Sequence, residues 1–315
     1  MDLLTKVGLL GDIEDAAVIP IPGSELVLVK NLDVFTPIVD DPHLSGQIAA
    51  CNVTNDIFAM NVPEISGMLV FLAIQTKTPQ YVVEGILEGI KYFMEQKLSS
   101  KIVGGHTIYS GWPLFGGEAS GFVHRDAIIT KSGVRKGDKI FLTKPIGLQA
   151  TMAAYRLLKD FPEMLEQYSR TELDSSINFA IELMTTSNQP VIKAIHSLED
   201  FSFIHAMSDC TGFGLAGHIM EMLQHSELSA LIEKTPSIKL SKELSEELGY
   251  SFDDCTCHET AGGMILAVDS KRSEDFSKIL FEKGVTHWIV GEIDAKEPRT
   301  VQISKHVENI EVSKL

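Results

Sequence analysis

The run LSGQIAACNVTNDIFAM (44–60) places a carboxylate, Asp56, inside an otherwise apolar stretch of helical length. Ile48, Ile57, Phe58 and Met60 lie around it, so much of such a helix must be buried. An ionised carboxylate in that setting is costly unless it is paired or coordinates a cation. Whatever fold this chain adopts must bring a partner to Asp56. Asn52, four residues earlier, points from the same helical stripe.

Three further acids stand in similar places. Asp15 lies in DIEDAAVIPI and leads into an apolar strand; Asp33 closes LVLVKNLD; Asp209 follows FSFIHAM and precedes a group of glycines. One such aspartate is usually a cap or an ordinary ion pair. Four of them, each at the end or edge of an apolar element, point to a shared divalent cation. Mg²⁺ suits such a set, because it takes hard oxygen ligands and commonly bridges substrate phosphates.

The same idea accounts for SDCTGFGLAGH (208–218), where Gly212, Gly214 and Gly217 reproduce the spacing of a dinucleotide fingerprint. In a dinucleotide site backbone N–H groups hold the anion, and Asp209 would repel it. With Mg²⁺ between them, carboxylate and phosphate attract the same ion, and the helix starting near Gly214 favours the anion. Glu233, about twenty residues on, could mimic a ribose-binding acid, so the dinucleotide alternative stays open. In VGGHTIYSG (103–111), Gly104, Gly105, His106 and Thr107 follow a short strand and fit a phosphate cradle or a tight turn with a capping hydroxyl. HETAGGMILAV (258–268) has the same form. Lys144 could neutralise phosphate or simply be a solvated surface residue. The CTCHE cluster (255–259) supplies at most three ligands to a zinc ion that normally takes four. The chain has no G-x-x-x-x-G-K-[ST] loop and no nucleophile elbow.

Short apolar strands alternate with amphipathic runs along the chain. Strands are expected over 25–35, 67–76, 201–206, 263–268 and 286–292, and helices over 44–60, 78–98, 148–159, 174–196, 214–224 and 273–283. Thr78 is the expected N-cap of the second helix, with Pro79 in its first turn. SGVRKGDKIFLTKPIG (132–147) reads as the passage between two α+β domains, 1–145 and 146–315, and 240–260 as a surface excursion. With 44% hydrophobic and 22% charged residues, the chain is of globular type. A net charge of −16 disfavours nucleic-acid or anionic-membrane binding. Four cysteines in 315 residues, with no signal sequence and no membrane-length apolar run, make the cytoplasm the expected compartment.

Taken in order, DAAV, LDVFTPIVDDPHLSGQIAACNVTNDIFAM, GGHT, LTKPIG, SDCTGFGLAGH and HETAGGMILAV resemble the selenophosphate synthetases (selenide, water dikinases) of the aminoimidazole ribonucleotide synthetase-like ATP-binding superfamily. The similarity runs from about residue 10 to the C-terminus. It implies two α+β domains, a homodimer whose N-terminal domains pair into a β-barrel, and ATP bound with several Mg²⁺ ions, with K⁺ as a further candidate ion. Carried onto this sequence, it implies Asp15, Asp33, Asp56 and Asp209 as metal ligands. Asn52, Gly104, Gly105, His106 and Thr107 then match positions beside the phosphates, with Gly212 and Gly214 at the glycine-rich helix start. The implied reaction converts selenide, ATP and water into selenophosphate, AMP and phosphate. Family members also carry a glycine-rich segment with a catalytic Cys or selenocysteine followed by Lys. Fourteen residues precede Asp15, none is Cys, and Lys6 is their single lysine, so the catalytic residues stay unassigned. Two other readings follow from that departure and from the superfamily: a regulatory ATP-binding homologue, and another kinase or synthetase of the group.

Overall fold

A computed structural model describes residues 14–315. Its backbone is organised around two sheets. The first has five strands, β1 (Ala17–Pro20), β2 (Leu26–Phe35), β3 (Ile65–Ile74), β4 (Ile102–Tyr109) and β5 (Leu114–His124), in the order β1-β2-β5-β3-β4. Only β3 and β4 run parallel. The second has six: β6 (Lys139–Leu142), β7 (Ile204–Asp209), β8 (Ser229–Ile238), β9 (Met264–Val268), β10 (Trp288–Asp294) and β11 (Val301–Val312), ordered β11-β8-β10-β6-β9-β7. There only β11 and β8 are parallel. The chain passes from one sheet to the other between His124 and Lys139, ahead of the boundary expected at 145.

Helix α1 (Pro42–Ala59) is the middle of the molecule. Asp41 caps it by accepting from the Leu44 N–H at 2.8 Å, and Pro42 occupies its first turn. Thirteen of its residues are buried, against the first sheet on one side and the second half of the chain on the other. Its neighbour α2 (Gln80–Tyr92) continues through one π-helical turn, Phe93–Lys97. Pro79, not Thr78, is its N-cap, and no side chain closes that end. The two helices cross at glycines: a Cβ on Gly46 would stand 2.1 Å from the Ile86 carbonyl oxygen, and one on Gly89 2.0 Å from that of His43.

The second half adds α3 (Leu148–Asp160), α4 (Arg170–Met184), α5 (Gln189–His196), α6 (Gly214–Met222), α7 (Ser241–Leu248) and α8 (Ser273–Glu282). The single helix expected over 174–196 is broken. Thr185 and Thr186 turn their hydroxyls back onto the Ile181 and Glu182 carbonyls, and Pro190 starts a new helix. Residues 240–260 are no surface excursion: they form α7 and a loop whose Phe252, Cys255, Cys257 and Glu259 are buried.

One apolar core joins Phe58, Met68 and Phe93 of the first half to Phe141, Leu266 and Phe276 of the second. Polar ties cross the same boundary. Asn188 Nδ2 donates to Asn55 Oδ1 at 2.9 Å and to the Gly262 carbonyl at 2.7 Å, and Asn55 Nδ2 reaches the same carbonyl at 3.1 Å. This places the 259–263 loop directly against α1.

Candidate active site: a buried acidic pocket between the two sheets

Asp33 and Asn31 are two apart on β2 and therefore share one face. Asp56 and Asn52 rise from the facing stripe of α1. Asn31 Nδ2 donates to Asp56 Oδ2, to Asp33 Oδ2 at 3.4 Å and to the Val53 carbonyl at 3.1 Å. Asn52 Nδ2 donates to Asp33 Oδ2 at 3.1 Å, while its Oδ1 accepts from the Ala261 N–H at 2.8 Å. Thus Asn52 orients one acid and fastens the loop from the other half. Asp33, Asn52 and Asp56, with Thr211, Gly212 and Glu259, line a cavity of about 360 Å³.

Asp15 precedes β1 and Asp209 ends β7, in different halves of the molecule, yet their carboxylates meet. Ligand-capable atoms of Asp15, Asp209 and His218 all lie within 4.8 Å of one another. Asp15 Oδ1 accepts from Lys131 Nζ at 2.8 Å and Ser208 Oγ at 3.3 Å. Asp15 Oδ2 and both oxygens of Asp209 are buried with no hydrogen-bond partner among the described residues. Buried carboxylate oxygens are rarely left this way without an ion or water to satisfy them.

Electrostatics ties the four acids into one unit. Burial pushes the Asp56 carboxyl well above its ordinary range, and the charges of Asp209, Asp33 and Asp15 push it further. Burial and Asp15 raise Asp209 to about 7, against the opposing pull of His218 and Lys131. Burial likewise outweighs Lys131 at Asp15 and the amide hydrogen bonds at Asp33, raising both. Such mutual repulsion is relieved by a divalent cation. The donor set of hard oxygens, three of them otherwise unsatisfied, fits Mg²⁺.

The glycine-rich turn behaves differently from a dinucleotide loop. Strand β7 pairs antiparallel with β9, outside any parallel βαβ unit, and Glu233 sits exposed on β8, four strands away. Gly212 lines the cavity. Gly214 opens α6 at φ +68°, and a Cβ there would stand 2.6 Å from the Cys257 carbonyl oxygen, so its need for glycine comes from the 255–257 loop.

Gly104, Gly105, His106 and Thr107 are not in a turn. They lie exposed within β4, at the edge of the first sheet and three strands from Asp33. Within one chain they do not join the acids. Lys144 is neither a phosphate contact nor a surface residue: its buried ammonium donates to the carbonyls of Leu183 at 3.0 Å, Thr186 at 2.6 Å and Ala261 at 2.6 Å. Burial pulls its pKa down. Cys210, Cys255 and Cys257 are buried free thiols. Among the described residues they do not join a close group of three metal-ligating side chains; the group whose ligand atoms all come within 4.8 Å is Asp15, Asp209 and His218. Lys6 lies outside the described residues.

Several members of the pocket escape a motif search. Asn31 could have been found from its place two residues before Asp33 on a strand. Glu259 lay within a quoted motif, but its role depends on contacts: it accepts from the Gly147 and Leu148 N–H groups at 2.7 and 3.0 Å and from Cys257 Sγ at 3.3 Å. His218 ends the quoted SDCTGFGLAGH and Glu221 lies three residues on along α6, but only tertiary folding brings Lys131 and Asp15 to them.

Comparisons with known proteins fit this architecture. Residues 13–123 match the family described as AIR synthase related protein, N-terminal domain, and residues 135–304 match its C-terminal domain. A selenide, water dikinase of Methanocaldococcus jannaschii is 39% identical over 99% of this chain and 89% of its own length. One from Methanococcus maripaludis is 38% identical over 98% and 90%. The human protein named selenide, water dikinase 2 is 30% identical over 95% of this chain and 68% of that one. Among solved structures, thiamine monophosphate kinase of Aquifex aeolicus superposes with a TM-score of 0.72 at 17% identity, covering 97% of this chain and 96% of that one. The hydrogenase maturation protein HypE in complex with ATP gives 0.70 at 17%, covering 94% and 85%. At such identities these two speak for a shared two-domain α+β fold.

Proposed function

The chain belongs to the selenide, water dikinase family of the AIR synthase related proteins, and from that premise we propose that the acidic pocket binds Mg·ATP for selenophosphate synthesis. The overall reaction converts selenide, ATP and water into selenophosphate, AMP and phosphate. The observation that carries the reading is the convergence of four aspartates with three buried oxygens lacking a partner.

In this reading Asp15, Asp33, Asp56 and Asp209 hold Mg²⁺ ions. When bound, the ions neutralise phosphate charge and favour in-line phosphoryl transfer. Asn31 and Asn52 keep Asp33 and Asp56 in register, and Gly212 leaves the pocket mouth open to the phosphates. A monovalent ion such as K⁺ would be a further component. Dimerisation through the first sheet completes the proposal. Its outer face carries uncovered Leu32, Val34, Leu69 and Phe122, and the β4 edge beside it carries uncovered Val103, an apolar surface that a monomer seldom leaves open. Such pairing gives Gly104–Thr107, stranded at the β4 edge, a route to a phosphate site. The cytoplasm is the proposed compartment; no described helix is long and apolar enough to cross a membrane.

Phosphorus NMR of ATP turnover with and without selenide tests the activity. Selenide-dependent AMP and selenophosphate are expected from the wild type, and Asp56→Ala should lower their formation by at least a hundredfold, on the order of 3 kcal/mol in transition-state stabilisation. ATP binding without AMP formation by the wild type would instead mark a regulatory homologue.

A further inference from the structure

Lys131 belongs to none of the motifs quoted above, yet it touches the segment carrying Asp15 twice. Its backbone N–H donates to Glu14 Oε2 at 2.8 Å, and its ammonium contacts Asp15 Oδ1 at 2.8 Å. The same ammonium reaches Glu221 Oε2 on α6 at 2.9 Å. The Lys131 and Asp15 side chains are 8% and 3% exposed, so this pair is shielded from solvent and salt.

Beyond Glu221 the contacts circle back to the pocket. His218 Nδ1 stands 3.2 Å from Glu221 Oε2, and His218 Nε2 is 3.2 Å from Thr211 Oγ1, two residues past Asp209. On Asp15, Lys131 and Ser208 both occupy Oδ1, which leaves Oδ2 as the unpartnered oxygen beside the two unpartnered oxygens of Asp209. A lysine placed this way has two effects of opposite sign. It fixes which oxygen of Asp15 faces the pocket and reduces repulsion between acids before any ion arrives. It also puts a permanent positive charge on the neighbouring oxygen of a carboxylate meant for a cation.

We propose that Lys131 is a positioning residue and built-in counter-cation: it preassembles the Asp15–Asp209 pair and, by like-charge repulsion moderated by Glu221, weakens that pair's hold on the divalent ion. Weak binding of this kind lets the ion enter and leave with its nucleotide. The inference rests on the Mg²⁺ reading of the pocket.

The test is Mn²⁺ binding to the full chain without nucleotide or selenide, followed by electron paramagnetic resonance of free Mn²⁺, with thermal melts alongside. Lys131→Met should bind Mn²⁺ on the order of tenfold more tightly, with a lower melting temperature in chelator and a larger rise on adding the ion. A merely structural lysine would give weaker binding on removal, so the sign separates the two roles. Glu221→Gln strengthens the net positive charge beside Asp15 and should weaken binding several-fold, on the order of threefold or more. Lys131→Arg should stay near wild type. Unchanged or weaker binding in Lys131→Met overturns the inference, as does unchanged or tighter binding in Glu221→Gln, which decides alone if Lys131→Met does not fold. Asp209→Asn is the control. If wild type binds no Mn²⁺, or Asp209→Asn binds it equally well, the Mg²⁺ reading fails; if the control behaves and the charge variants do not, only the role of Lys131 fails.

Discussion

Glu259 shows how a residue can matter to a pocket without holding an ion. It is buried, and burial raises its pKa from an ordinary 4.5 to about 7, although the Gly147 and Leu148 amides and the Cys257 thiol pull the other way. The folded state therefore holds a proton that the unfolded chain releases near pH 4.5. Its favourable contribution is complete below that value and is lost as pH rises through about 7. In chelator, the melting temperature should fall between pH 5 and pH 8. Glu259→Gln should flatten part of that slope, as melts at several pH values would read; an unchanged slope would remove Glu259 from the account. Asp56 and Asp209 were legible as residues because a charge inside an apolar run stands out in sequence. Lys131 was not, since a lysine in AIITKSGVRKG looks like any surface lysine until Asp15 and Glu221 fold against it.

At the scale of elements, α1 carries Asn52 and Asp56, so its seat sets the pocket. That seat is fixed by the glycine crossing with α2. Gly89→Ala would push a methyl into the His43 carbonyl and should destabilise the protein by about 1–3 kcal/mol, readable by urea unfolding. It should also weaken Mn²⁺ binding, because α1 must shift relative to β2. Helix α2 was legible from its apolar periodicity, and α1, β2 and β3 from their length and apolar content. Strands β8 and β11 were not: SALIEKTPSI holds a charged pair and a proline, and VQISKHVENIEV forms the sheet edge, with much of it exposed. The break between α4 and α5 hid for a related reason. Apolar faces on either side suggest one helix, but Thr185–Pro190 is the polar run TTSNQP, whose hydroxyls compete for the backbone and whose proline starts a new helix.

The whole molecule carries a net charge of −16, and the first sheet leaves an apolar face uncovered. The proposed homodimer would close that face. Leu32→Asp combined with Val103→Asp should shift the protein from dimer to monomer in sedimentation velocity without changing its circular dichroism. A wild type that sediments as a monomer would refute the pairing. The α+β character was legible from alternating strands and helices, whereas the edge placement of Gly104–Thr107 depends on the parallel pairing of β3 with β4, which no local pattern encodes. The Asn55–Asn188–Gly262 tie has a practical meaning for recombination between relatives. A chimera that took its first half from this chain and its second from a cousin lacking the Asn188 amide would leave Asn55 Oδ1 without its donor in the interior. Such a hybrid would inherit all four aspartates and still present them out of alignment, so exchangeable modules in this architecture must be cut to carry both ends of that seam.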